Sequence, residues 1–493
     1  MSSAPTPPPA PEIGPDAAPK ASSDTSSATL PASRVDWAGR RRVDLAAFLT
    51  LAWPLVLNNT LQAVLGLTDT WFISRISPTA TAGVGAIHWL LLAITLVVGG
   101  VAMCVQTFAA QEHGAGDHPA AGRSAWAGVW ASAATLPLFI LLAFAAPLLL
   151  SPFGLPQPVA AAADEYWLPR MLGQPLGLAL WAVLGFFNGI GETRRTLLVT
   201  GITMVANAAL NPLLMFTFGL GIAGSAWATN LAQALGLALA LAWLLGDRYE
   251  HRYRTRSGWR PHLTALKRHF TVGLPMGFVA GADLLGASLF TLFITRTGEV
   301  GGAATQVAFM LTSLAYLPGL GLASAGTTLV GQAIGAGHPD WAERLGTLTI
   351  RITAGYMGTV GVLTAILGPW LMPAFVNADS PNAAAVIALG TKVLWLAAIY
   401  QAFDGFNFGA SFCLRGAGDA RVPAILVAII SWGLWVPATH MLTFAPGEGL
   451  VTFLPAFGLG TMGAWYSIVG YIVVLGGAMY WRWRSGAWRK IKL

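Results

Sequence analysis

Three aspartates, Asp69, Asp283 and Asp404, stand inside stretches that are otherwise almost wholly apolar. A charge near a bilayer midplane costs at least about 2.5 kcal/mol, so such a residue faces a protein interior or a watery path and marks where an ion or substrate passes. Around Asp404, the residues Tyr400, Asn407 and Ser411 recur at helical spacings of 4, 3 and 4, with Gln401 adjacent. That spacing puts an acid and neutral polar groups on one helix face. Asp283 has Gly281, Gly286 and Ala287 beside it, small residues that allow close helix approach or leave room for an ion. Asn58, Gln62 and Asp69 are separated by 4 and 7 and also share a face. A hard cation such as Na⁺ takes oxygen ligands, and a buried acid can also carry a proton, so Asp283 and Asp404 suit either chemistry; they are metal ligands only if the ion is Na⁺. A plainer reading makes Asn58 and Gln62 hydrogen-bonding glue between helices, with Asp69 near the outer end of a tilted span, and makes each acid the partner of an intramembrane base. Lys392 is the only lysine inside a span, yet it lies twelve residues before Asp404, roughly 18 Å along a helix. His88 and His440 read as neutral hydrogen-bonded residues, and Arg170 as a side chain that snorkels toward the outer interface.

These residues need spans to hold them. Of 493 residues 55% are hydrophobic and only 10% are charged, which places the chain among integral membrane proteins. Apolar stretches long enough to cross about 30 Å of hydrocarbon recur near 45–73, 82–110, 124–150, 160–187, 195–218, 222–246, 270–295, 303–332, 346–370, 384–411, 421–444 and 458–481. The expected fold is all-α, with twelve transmembrane helices in two pseudo-symmetric six-helix bundles.

Lys and Arg are spread unevenly over the loops. One set carries Arg40 to Arg42, Arg123, Arg194 and Arg195, seven basic residues from Arg248 to Arg268, Arg344, Arg415 and Arg421, and five more from Arg482 to Lys492. The other set has Arg75, Arg296 and little else. The positive-inside rule therefore predicts an inner-membrane protein with both termini cytoplasmic. The formal charge of +7 is accounted for by these loops, and nucleic acid is not an expected partner. Residues 1–33 are rich in Pro, Ala and Ser and read as the main part of a disordered cytoplasmic tail at 1–44. A six-helix lobe at 45–247, a basic linker at 248–268, a second lobe at 269–484 and a basic tail at 485–493 follow. No charged-then-apolar signal peptide precedes the first span, and the two cysteines, Cys104 and Cys413, read as packing residues.

The halves repeat. A shift of 221 positions brings Pro54 onto Pro275, Arg75 onto Arg296, Thr107 onto Thr328, Gln111 onto Gln332, and Gly114-Ala115-Gly116 onto Gly335-Ala336-Gly337. Further on the shift becomes 227, joining Gly189 to Gly416, Gly191 to Gly418 and Arg194 to Arg421. Six spans per repeat give both halves the same orientation, with a cleft between bundles that can rock about a central site.

The segments WPLVLNNTLQAVLGLTDTWFISRIS, TFAAQEHGAGD with its partner TTLVGQAIGAGH, and IYQAFDGFNFGASFCLRGAGDAR resemble the multidrug and toxic compound extrusion family over about residues 45 to 484. The resemblance implies a multidrug efflux antiporter that exports organic cations in exchange for Na⁺ or H⁺. It implies coupling at Asp283 and Asp404, with Asp69 serving the N-terminal lobe. Asp283 falls where the NorM-like branch usually has a glutamate. The segment GLGIAGSAWAT is similar to a second, DinF-like branch, which typically carries Asn-x-x-x-Asp on its fifth helix; here that pair is Asn207 and Asn211. No Gly-x-x-x-x-Gly-Lys-Ser/Thr phosphate loop occurs, so an ion gradient is the expected driver. No cofactor is expected, the partners are small organic cations, a coupling ion and the lipid bilayer, and a monomer is expected. Two other readings stay open: a flippase for lipid-linked substrates, and an intramembrane aspartyl protease using the Gly-Ala-Gly-Asp tetrapeptides at 114–117 and 416–419.

Overall fold

The computed structural model describes residues 30–151, 154–376, 381–449, 451 and 453–491. Among the described residues twelve helices are long and apolar enough to cross a membrane: α1 Leu45–Ser74, α2 Pro78–Gly114, α3 His118–Phe144, α4 Gln157–Gly189, α5 Thr193–Thr217, α6 Gly221–Leu244, α7 Leu263–Arg296, α8 Glu299–Gly335, α9 Pro339–Phe375, α10 Ala383–Gly416, α11 Arg421–Thr443 and α12 Gly460–Arg484. The protein is a multi-pass membrane protein.

Local chemistry sets the helix ends. Asp44 caps α1 by accepting from the Ala46 and Ala47 amides, and Ser77 caps α2 ahead of Pro78. The repeat positions Gly191 and Gly418 have φ +86° and +83°, the left-handed conformation in which a side chain is strained. Each closes a Schellman turn, in which the Glu192 amide reaches Phe187 O at 2.8 Å and the Asp419 amide reaches Leu414 O at 2.9 Å. The two fifth helices of the lobes, α5 and α11, each widen into a π-helical segment, at Leu213–Thr217 and Ala428–Trp435.

Two apolar cores form, one around Trp167, Phe186 and Phe187 of the first lobe, the other around Phe290, Trp465 and Trp483 of the second, and Phe48, Ala52 and Leu55 at the start of α1 belong to the second core. The first helix of each lobe packs against the second helix of the other, α1 on α8 and α7 on α2. Glycine makes this possible. A Cβ on Gly100 would collide with Gly273 O, one on Gly273 would stand 2.6 Å from Gly100 O, and one on Gly321 would stand 2.6 Å from the Val56 nitrogen.

Side chains then cross-link the lobes in matching pairs. Gln111 Nε2 donates to Gly416 O at 2.9 Å and Gln332 Nε2 donates to Gly189 O at 2.8 Å. Thr107 Oγ1 donates to Arg415 O at 3.0 Å and Thr328 Oγ1 donates to Asn188 O at 2.9 Å. The acceptors are carbonyls in the last turns of α10 and α4, groups that a helix cannot fully satisfy itself. All the cross-lobe hydrogen bonds among the described residues lie at the end that carries the basic loops.

The expectation of a disordered tail to residue 44 is corrected for residues 30–44; residues 1–29 lie outside the described residues. Strands β1 Ser33–Val35 and β2 Arg41–Val43 pair antiparallel. Asp36 organises the turn by accepting from the Ala38 and Arg40 amides, and pairs with Arg42 at 2.8 Å. The segment docks because Leu30 enters the second core and Trp341 Nε1 donates to Pro31 O at 2.9 Å. Apolar anchoring by one leucine and one tryptophan outweighs the polar composition around it.

The basic segment after α6 is also built. A short helix spans Asp247–Tyr253, Trp126 Nε1 donates to Thr255 O and Trp130 Nε1 to Trp259 O, and α7 begins at Leu263, ahead of the expected boundary at 269. Glu192 gathers Arg195 at 2.9 Å, Arg248 at 2.7 Å and the Tyr249 hydroxyl. Burial, and then the bond to Glu192, push the Tyr249 phenol above its ordinary range, so it remains a donor.

Candidate functional site

Asp283 lies midway along α7, where its carboxylate accepts a hydrogen bond from the Tyr471 hydroxyl of α12. The Tyr471 ring stacks on Trp435 at 4.4 Å with the planes 11° apart. Trp435 is the last residue of the π-helical segment of α11, so three helices converge on one carboxylate oxygen.

Asp404 is 3% exposed in the middle of α10. Its Oδ1 accepts from Asn407 Nδ2 one turn along at 3.2 Å, while Oδ2 has no partner. The Gln401 Nε2 amide is likewise buried and unpaired. Tyr400, Tyr316 and Asp283 are all within electrostatic reach of Asp404. Among the described residues no Lys or Arg forms an ion pair with any of the three aspartates within 4.0 Å, and Arg170 is the base whose charge reaches Asp69. A buried carboxylate oxygen without a donor is costly unless something fills it. A proton or an oxygen-seeking cation has the chemistry to do so.

The N-terminal lobe holds a second, more fully bonded centre. Asp69 is 7% exposed late in α1, where Asn211 Nδ2 of α5 donates to its Oδ1 at 2.7 Å and Thr229 Oγ1 of α6 donates to its Oδ2 at 2.9 Å. Asn207 Nδ2 donates to Thr229 Oγ1 at 3.1 Å and so fixes the hydroxyl that serves Asp69. Thr229 has one hydroxyl proton, and the charged acceptor is favoured over the nearby Ser225 carbonyl. Asn211 Oδ1 and Ser225 Oγ remain buried without partners. Asp69 is therefore a buried, three-helix centre rather than an interfacial residue at the outer end of a tilted helix.

Not every residue that shares a helix face shares a site. Gln62 is exposed while Asn58 is buried with its Oδ1 unpaired, and neither bonds Asp69. Ser411 is buried two turns beyond Asp404 without a bond to it. His88 and Lys392 are exposed. Arg170 is directed at Asn230 Oδ1, 3.4 Å away on α6, which corrects the view that it only snorkels outward. His440 is buried and accepts from the Val451 amide through Nε2 at 3.1 Å, the neutral, hydrogen-bonded role expected of it.

Sequence spacing missed Tyr471, Trp435 and Thr229. Thr229 ends the segment GLGIAGSAWAT, so a motif pointed at it; Tyr471 carries no such signal, since its partners lie on other helices.

The family model described as MatE matches residues 54–213 and 275–440. The chain is 30% identical to a probable multidrug resistance protein NorM from Deinococcus radiodurans, over 93% of this chain and 99% of that protein. It is 32% identical to a probable multidrug resistance protein NorM from Pseudomonas putida, over 83% and 89%. In fold it is similar to a multidrug resistance MATE family transporter of the MOP superfamily solved in an outward-facing conformation, with a TM-score of 0.77 and 21% identity over 90% of this chain and 96% of that one. A MOP superfamily transporter from Pyrococcus furiosus gives a TM-score of 0.76 at 22% identity over the same shares.

Proposed function

The chain belongs to the MatE family, and from that premise we propose that it is a secondary active multidrug exporter coupled to Na⁺ or H⁺. It is a transporter, not an enzyme. Asp283 and Asp404 take the coupling ion, Asp69 with Asn207, Asn211 and Thr229 serves the N-terminal lobe, and cationic amphipathic compounds leave through the cleft between lobes. The observation that carries this reading is the buried Asp404 carboxylate, with one oxygen unpaired and no base beside it. Alternating access is supported by the cross-lobe bonds, which gather at the basic-loop end. By the positive-inside rule that end is cytoplasmic, so the protein sits in the inner membrane with both termini inside and this conformation faces outward.

The protease alternative loses its acids to structural work. Asp117 caps α3 by accepting from the Ala120 amide, and Asp419 pairs with Arg482 at 2.7 Å. Accumulation of ethidium in inverted membrane vesicles tests the proposal. Uptake is expected to depend on an imposed Na⁺ or proton gradient, the two applied separately to identify the ion, and uptake that persists with both collapsed overturns the antiporter.

A further inference from the structure

Asp283 and Asp404 are held in different ways. Asp404 is bonded only from within its own helix, by Asn407, whereas Asp283 is bonded from another helix by Tyr471. The tyrosine has little freedom to release it. Tyr471 is 5% exposed and its ring lies flat on Trp435, itself 3% exposed. Trp435 is wedged in turn, with Phe290 of α7 at 6.0 Å between ring centroids. Its ring crowds Gly286, where an added Cβ would stand 2.5 Å from the indole. Ser431 Oγ, one turn before Trp435, is buried at the same spot, 3.1 Å from that Cβ position and without a partner. A small residue at 286, a stacked indole and a confined phenol thus form one continuous support behind a single carboxylate.

We propose that Tyr471 is a positioning residue of the ion site, fixing the Asp283 carboxylate through its hydroxyl, with Trp435 as the buttress that fixes the Tyr471 ring. This rests on the reading of Asp283 as a coupling residue. An ion site is effective when its ligands are held by locked neighbours before the ion arrives, and an aspartate side chain has two torsions to lock. Removing the hydroxyl while keeping the ring frees those torsions without disturbing the stack.

The experiment is ethidium transport by the full-length protein in proteoliposomes, with Na⁺ varied at fixed pH and pH varied at fixed Na⁺. In Tyr471→Phe the half-saturating concentration of the coupling ion shifts by about tenfold, the size of one hydrogen bond to a charged group, while the maximal rate stays within about twofold. That concentration rises if the ion is Na⁺, whose ligand is no longer held, and falls if the ion is H⁺, because the lost hydroxyl bond favoured the ionised carboxylate. Trp435→Leu shifts it in the same direction. The double variant adds little further, since both substitutions act on one contact. An unchanged half-saturation in Tyr471→Phe, or a fall in maximal rate alone, overturns the proposal, and full additivity in the double variant overturns the buttress role of Trp435. Asp283→Asn separates the premise: normal coupling in that variant removes Asp283 from the mechanism and this proposal with it, whereas lost coupling beside an unaffected Tyr471→Phe refutes the positioning role only.

Discussion

Asp69 and Asp404 are both buried carboxylates in apolar helices, yet their oxygens are satisfied to different degrees. Both oxygens of Asp69 accept from other helices, at 2.7 and 2.9 Å; Asp404 has one bond at 3.2 Å and one bare oxygen. A polar group orphaned in the interior costs about 1–3 kcal/mol, so truncating the two acids has opposite effects on stability. Asp69→Ala removes the bonds that tie α5 and α6 to α1, leaving the Asn211 amide only Asn207 and the Thr229 hydroxyl only the Ser225 carbonyl on their own helices, and the melting temperature of the purified protein falls by the equivalent of about 1–3 kcal/mol. Asp404→Ala removes a group the fold does not satisfy, so its melting temperature stays at or above that of the parent while gradient-driven ethidium transport is lost. Equal destabilisation in both variants would contradict the bonding described here. The sequence exposed all three acids because charge in an apolar run is conspicuous. It could not show that one was saturated and another bare, which depends on donors carried by other helices.

At the scale of elements, backbone approach decides where the lobes touch. Gly100 and Gly273 bring α2 and α7 together so closely that backbone, not a rotatable side chain, would meet a new methyl group. Gly100→Ala is expected to destabilise by about 1–3 kcal/mol, the usual cost of overpacking. Gly85→Ala on the same helix meets nothing within 4 Å and is expected to be neutral or to stabilise by up to about 1 kcal/mol through helix propensity. Thermal unfolding of the two purified variants distinguishes them, and similar behaviour would place the α2–α7 contact elsewhere. The π-helical segments of α5 and α11 are a second feature of this scale. Asn211 stands just before one of them, and Ser431 and Trp435 lie within the other, so both lobes widen the same helix beside their acids, as functional sites often do. Hydropathy is blind to a change from i→i+4 to i→i+5 bonding. It was equally blind to the hairpin at residues 33–43, whose order comes from Leu30 and Trp341 rather than from its own composition.

For the whole molecule, the repeat is expressed as a reciprocal fastening. Gln111 and Gln332 reach opposite lobes, each to the terminal carbonyl of a fourth helix. At about 1 kcal/mol per bond, Gln111→Ala combined with Gln332→Ala removes about 2 kcal/mol from the closed state, a roughly thirtyfold shift toward opening at that end. Cys104 provides a native reporter: it is fully buried with Sγ 3.7 Å from His269 O of the other lobe, whereas Cys413 lies within one lobe against Gly346 O. In a Cys413→Ser background the double variant should label faster with maleimide at Cys104, and an unaltered labelling rate would show that these bonds do not govern opening.

The sequence by itself determined the membrane class, the twelve spans, the two-fold repeat and the acids, because a bilayer demands about 20 apolar residues per helix and makes every exception visible. It also marked Thr107, Gln111 and their counterparts as repeated without saying why. Only the tertiary structure decided that these side chains fasten one lobe to the other, that Thr229 and the two asparagines enclose Asp69, and that Tyr471 holds Asp283. The bonds between the lobes and those from other helices to the acids join residues 140 to 308 positions apart, and a helical period of 3.6 carries no information about which face of a distant helix it will meet.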